Sequence, residues 1–325
     1  MGTATRVPQR SEVDAVEAEL RLRGDTLSGE EAWAALRHYG GWALVRDSFL
    51  RFRYADGFSH SRALALQTAL AIVPLAIAVI GLSGVLHTED LARIAELTIR
   101  RISGPSQGVV DDALSESRRH AGEGGAAAFW LVLLFSVANV TTGMCQVERG
   151  ANRIYGVERD RPFLRKYGRG LAMAVLVGVP LGLTFCVTVL GSDLNQALIE
   201  VYHLEPATSR AWNVLRWPVG ILLAVIATSV IFRRSPRRAQ PGYTWLAFGA
   251  TVHLVLWLGA TWALSLYVGS VGSFTTVYGP LSAFVALLLW SYLTSLALFL
   301  GLSFAAQLEA VRAGVAAPIT EDPGV

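Results

Sequence analysis

The sequence predicts an all-α polytopic membrane protein, with six transmembrane helices and both termini cytoplasmic. Three observations lead there. Six long apolar stretches lie between residues 63 and 306. Each is near the length of about 20 helical residues that a hydrocarbon core of roughly 30 Å requires. Hydrophobic residues make up 53% of the chain and charged residues only 16%, and the charges fall almost wholly outside those stretches. The basic residues also alternate by side. The segments on one side of the six stretches hold nine, seven, four and one Lys or Arg, and those on the other hold five, one and none. That positive-inside bias places both termini in the cytoplasm, and an even number of spans returns the chain to its starting side.

The elements follow in order. Residues 1–62 form a cytoplasmic segment before the first apolar run, which begins too late for a cleaved signal and so reads as an uncleaved anchor. Within it, 11–37 has the pattern of one or two amphipathic helices, and Ser28 with Glu31 fits a capping box. Residues 41–54 mix Trp42, Leu44, Val45, Phe49, Leu50 and Phe52 with Arg46, Arg51 and Arg53. Two readings fit that composition: a helix lying among lipid headgroups, or an elbow packed on the bundle.

The transmembrane domain occupies 63–306, with spans at 63–86, 125–147, 171–190, 214–232, 245–268 and 281–306. Runs such as LAMAVLVGVPLGLTFCVTVL (171–190) have no polar face wide enough to meet water. Pro74 and Pro180 sit mid-span, where a proline removes one backbone hydrogen bond and bends the helix. Pro218 suits the first turn of the fourth span. The longest external connection, 87–124, has a helical stretch ended by Gly104 and Pro105. The last, 269–280, is uncharged and rich in Gly and hydroxyls, as a re-entrant turn or external gate would be. A short cytoplasmic tail, 307–325, closes the chain. Cys145 and Cys186 both fall inside spans, which argues against a disulfide framework or a cysteine metal site.

In lipid, an interior polar side chain is the feature to explain. Asn139, Thr142, Gln146, Arg149 and Arg153 recur at steps of three and four, so they share one helical face. They read either as the wall of a polar path with a cationic cytoplasmic mouth, or as interhelical hydrogen bonding with snorkelling arginines. Gln67 in the first span and His253 in the fifth complete the candidate substrate path. No Asp or Glu falls within any of the six stretches, Glu148 lying just past the second, so carboxylate-driven proton coupling is weakly supported. Arg165, Lys166, Arg216, Arg233 and Arg234 are candidate lipid-headgroup contacts, with simple anchoring the alternative at Arg216. Gly178 with Gly182, and Gly259 with Ala263, offer small-residue faces that would permit a homo-oligomer or internal packing.

Several stretches resemble the BrkB/YihY family of bacterial inner-membrane proteins, once labelled ribonuclease BN. They are SRALALQTALAIVPLAIAVIGLSG (61–84), ANRIYGVERDRPFLRKYGRG (151–170), LRWP (215–218) and SLYVGSVGSFTTVYGPLSAFVALLLWSYL (265–293). Within the family the chain is most similar to the YhjD-like branch. The family pattern near the end of the last span reads Gly-Ala-Glu with Asn shortly after, whereas this chain has Gly301-Leu302-Ser303-Phe304-Ala305. A mechanism leaning on that carboxylate is therefore unsupported for this chain. The resemblance implies a role in envelope integrity and an export or lipid-transport activity.

A nuclease is not expected. Metal-dependent RNA cleavage needs clustered His and carboxylate ligands. His38, His60, His87, His120, His203 and His253 are dispersed, with no two at ligand spacing, and no phosphate-cradling loop is present. No catalytic residue, metal or cofactor is expected, and nucleic acid is not an expected partner despite the net charge of +3. The expected function is a carrier of an envelope component, such as an anionic lipid or lipid-linked precursor, in the bacterial cytoplasmic (inner) membrane, with membrane lipids as partners. The alternative is a structural envelope protein that binds partners or lipids and moves nothing.

Overall fold

The computed structural model describes residues 18, 22, 27–85, 125–157, 160–188, 206–270 and 281–315. Among them there are eight helices and no strand. They are α1 (Gly29–Tyr39), α2 (Gly41–Tyr54), α3 (Gly57–Val85), α4 (Gly125–Ile154), α5 (Phe163–Thr188), α6 (Pro206–Arg234), α7 (Tyr243–Ser270) and α8 (Ser282–Arg312). Each of the six apolar stretches coincides with one of α3 to α8, and most of these helices run several residues beyond the apolar part. Four hold a described stretch long and apolar enough to cross a membrane: Trp130–Ile154, Val214–Arg234, Tyr243–Val268 and Phe284–Arg312. Pro74 and Pro180 lie inside α3 and α5 as expected. Pro218 does not open its helix. α6 begins at Pro206, which occupies the first turn, so Pro218 is internal and removes an N–H from a continuous helix. The external segments 87–124 and 271–280, most of 11–26 and the tail from 316 lie outside the described residues, as does the side chain of Cys186.

The chain divides into two compact units, one of residues 1–69, 141–177 and 225–325, the other of 70–140 and 178–224. In the first unit, α1 starts with the expected capping box: Glu31 N–H donates to Ser28 Oγ, and Ser28 N–H to the Glu31 carboxylate. α2 is an elbow packed against α8, burying Leu44, Ser48 and Phe52. Its opposite face exposes Trp42 (81%), Val45 (50%) and Phe49 (45%). The chain turns from α2 into α3 at Asp56, whose φ is +55°, and Gly57 follows because a Cβ there would stand 2.4 Å from the Phe52 ring.

The core of this unit is built from Trp245, Leu246, Phe232, Phe299, Leu302 and Leu308, all buried. α7 and α8 approach at backbone contact. A Cβ on Gly249 would meet the Gly301 carbonyl at 2.6 Å, and one on Gly301 would meet the Gly249 carbonyl at the same distance. Gly150 on α4 is filled in turn by the Phe299 ring. At Gly178, Gly182 and Gly259 no described residue lies within 4 Å of where a Cβ would stand.

The described part of the second unit carries exposed apolar side chains. Trp130, Leu131, Leu134, Val214, Leu215 and Trp217 are exposed there, as side chains bathed in lipid would be.

Candidate functional site

The polar row of α4 ends in the first unit, and there the structure gives it partners. Gln146 lies half-buried, and its Nε2 donates to Nδ1 of His60 on α3 at 2.9 Å. An amide nitrogen can only donate, so His60 accepts at Nδ1 and carries its proton on Nε2. Burial pushes the His60 imidazole below its ordinary range; Asp56 opposes this, and the cations of Arg153 and Arg149 reinforce it. One turn before Gln146, Gly143 faces Leu64 and Gln67 of α3, each with a carbon 3.8 Å from where a Cβ would stand. Gln67 thus borders the same seam. Thr142 is half-buried. Asn139 belongs to the other unit, and its Nδ2 donates at 2.8 Å to its own helix, at the Phe135 carbonyl.

Beyond Gln146 the organising group is Asp160, in the link between α4 and α5. Its carboxylate accepts from Lys166 Nζ, from Asn152 Nδ2 at 2.9 Å and from Arg149 Nε at 3.4 Å. Burial acts to raise its pKa, but the hydrogen bonds from Lys166 and Asn152 outweigh it and hold the carboxyl below its ordinary range. Asn152 also accepts the Arg237 N–H at 2.8 Å. Arg161 pairs with buried Glu148 at 2.8 Å and donates to the carbonyls of Ser235 and Pro236 at 3.1 Å each. Arg238 is buried between Glu309 of α8 and the Tyr155 ring, whose centroid is 4.5 Å away. Arg51 of α2 donates to buried Gln307 at 2.9 Å. The end of α4, the α4–α5 link, the α6–α7 link and the end of α8 are therefore bound together by buried polar contacts.

The cations predicted for the substrate path and for headgroup contact differ in their surroundings. Lys166 is buried and Arg149 is partly engaged, both on Asp160. Arg233 stacks on Tyr243 at 4.2 Å from the ring centroid, and Arg234 contributes its carbonyl to Arg169. Arg153 and Arg165 are exposed. Arg216, on α6 in the second unit, lies over Trp217 at 5.6 Å. His253 stands apart from all of these: it is buried on α7 against Gly301, its ring meets the backbone of Ala297, and Nδ1 has no partner. Ser303 is buried and its hydroxyl is unpaired.

Sequence reasoning did not single out His60, Asn152, Asp160, Gln307 or Glu309. One signal was present. Residues 148–161 intersperse three acids with four bases, which points to charges that answer one another rather than to a free cationic rim.

The charge-laced α4–α5 link and the apolar helices it joins coincide with a family-wide match over residues 48–322, to the family described as virulence factor BrkB. The chain belongs to the BrkB family. Among curated relatives it is similar to YfkH of Bacillus subtilis, a protein named as ribonuclease-like, at 21% identity over 80% of this chain and 92% of that one. It is 26% identical to a UPF0761 membrane protein of Stenotrophomonas maltophilia over 81% of this chain, and 25% identical to one of Rhodospirillum centenum over 83%. The chain spans 61% and 58% of those two relatives' lengths. No solved structure matches it. Membership makes this a membrane protein with several apolar helices. Among the described residues of this BrkB-family chain, no three His, Cys, Asp or Glu side chains gather as a metal site would require.

Proposed function

We propose that this chain is a carrier in the bacterial cytoplasmic membrane, moving an anionic lipid or lipid-linked envelope precursor without itself being an enzyme. In this reading all six long helices cross the bilayer and both termini are cytoplasmic, a topology that the distribution of Lys and Arg supports. The observation that carries it is the half-buried polar row of α4: Thr142 and Gln146 are both half-buried, Gln146 bonds to His60 on α3, Gly143 between them faces Gln67, and exposed Arg153 follows at its foot. Such a row gives a charged headgroup hydrogen-bonding groups along a mainly apolar helix. The cations at its foot attract anionic headgroups from the leaflet. One relative is named as ribonuclease-like, but among the described residues no three His, Cys, Asp or Glu side chains gather to hold a metal, and no nuclease is proposed.

A second reading has its own support. Asp160 already engages Lys166 and Arg149, so part of the cationic rim is spent on internal structure. That is what a non-transporting envelope scaffold needs. Proteoliposomes holding purified protein and headgroup-labelled anionic lipid separate the two. The carrier accelerates lipid movement over empty vesicles, and Gln146→Leu and Arg149→Ala slow it. Equal movement in every sample, empty vesicles included, leaves the scaffold.

A further inference from the structure

Arg216 sits on α6 among exposed Val214, Leu215 and Trp217, where the unit of residues 70–140 and 178–224 meets lipid. Its Nε and Nη1 are both buried, and neither has a hydrogen-bond partner. The neighbouring Trp217 ring does not answer them, because a contact at 5.6 Å to the ring centroid uses the cation's field and leaves N–H groups unpaired. A guanidinium stays charged and can only donate. Buried donors on a charge are among the most costly features a lipid-embedded helix can carry. The simplest remedy would be a carboxylate in the same unit. Among the described residues of that unit there is no Asp or Glu, and Arg210 is the sole other cation. The counter-charge is therefore not supplied by the described protein around it.

Position narrows the ligand. Arg216 precedes Arg234 by 18 residues of the same helix. At 1.5 Å per residue that is about 27 Å, close to the hydrocarbon thickness. Arg216 thus lies at the headgroup level of the leaflet remote from Arg233 and Arg234, with apolar side chains beside it that suit acyl chains. We propose that Arg216 is the anchoring residue of an anion subsite that takes a phosphate group, from a phospholipid headgroup or free in solution. The subsite requires only that α6 lies in lipid; it deepens the carrier reading by naming the group that the far side of the membrane would hold.

The test uses the purified full-length chain in zwitterionic detergent, with thermal unfolding followed as phosphatidylglycerol, phosphatidylcholine or inorganic phosphate is added. Phosphatidylglycerol should raise the midpoint, and phosphatidylcholine should do so far less. In Arg216→Gln the half-saturating phosphatidylglycerol concentration should rise by about tenfold, the scale of a lost charge-assisted hydrogen-bond set. Arg37→Gln, an exposed cation on α1, should leave it unchanged. A shift with inorganic phosphate identifies a free anion as the ligand, and a shift with phosphatidylglycerol alone identifies a lipid. The subsite is overturned if Arg216→Gln responds like the parent protein, or if phosphatidylcholine matches phosphatidylglycerol. Should Arg216→Gln not fold, Arg216→Lys keeps the charge but not the planar donor set. Its binding should still weaken several-fold, and unchanged binding would overturn the proposal equally. Lipid movement is read separately in proteoliposomes, so a protein that binds through Arg216 and moves nothing defeats the carrier reading alone.

Discussion

Gln146 donates its side-chain amide to Nδ1 of His60 at 2.9 Å, joining the polar row of α4 to the first turn of α3. The bond requires a neutral imidazole, because a protonated ring has no lone pair left at Nδ1. His60 precedes the apolar part of α3, and burial holds its pKa below the ordinary value of 6.5, with Arg153 and Arg149 acting the same way against Asp56. A depressed histidine binds fewer protons folded than unfolded. Its contribution is therefore fully present above about pH 6.5 and is lost as pH falls through the folded value. Thermal unfolding of the detergent-solubilised protein between pH 8 and pH 5 should show a falling midpoint, and His60→Gln should remove that part of the slope. Identical slopes in the two proteins would assign the pH response to other groups.

Packing of α7 on α8 depends on two glycines with no room for a methyl group. A Cβ on Gly249 would also stand 2.8 Å from Ala305, and one on Gly301 would stand 2.7 Å from the His253 Cβ. Gly249→Ala or Gly301→Ala should each destabilise the protein by about 1–3 kcal/mol, the usual cost of overfilling a packed contact. Gly259→Ala, on the same α7 but with nothing within 4 Å, is the matched control. It should be neutral or slightly stabilising through helix propensity. A neutral Gly301→Ala would mean that the two helices are not in backbone contact.

Orientation is open to direct measurement. The Lys and Arg asymmetry predicts both termini on the cytoplasmic side. Alkaline phosphatase fused after Val325 should be inactive in cells, and a fluorescent protein fused there should fold and fluoresce. An active phosphatase at that position would reverse the charge-based topology and move Arg216 to the cytoplasmic leaflet.

Hydrocarbon length made the long helices legible from the sequence, but not their ends. The apolar stretch at 125–147 becomes a helix of Gly125–Ile154, and that at 281–306 becomes Ser282–Arg312. Helical hydrogen bonds are local and continue into the headgroup layer, whereas hydropathy reports only the part in lipid. Those polar extensions carry Glu148, Asn152, Gln307 and Glu309, all buried. Helical periodicity likewise placed Gln146 and Arg149 on one face without revealing their partners. His60 lies 86 residues from Gln146 in sequence, and no local pattern encodes such a pairing.

Asp160 is the group whose removal should be felt most widely in the first unit. It accepts from Lys166, whose side chain is only 7% exposed, and from Asn152, while its own side chain is 32% exposed. Asp160→Asn leaves the Lys166 ammonium buried with a neutral amide. Because the carboxylate is partly open to solvent, the expected loss is about 1–3 kcal/mol, short of the full cost of breaking a sealed pair. Arg149 is exposed and its contact is long at 3.4 Å, so Arg149→Ala should cost under about 1 kcal/mol. The decisive variant is the pair Asp160→Asn with Lys166→Met, which removes the stranded charge along with its former partner. Part of the lost stability should return in the double variant, and a thermal-unfolding cycle over the four proteins gives the coupling. Strict additivity would mean that Lys166 is satisfied elsewhere and that Asp160 does not organise the link.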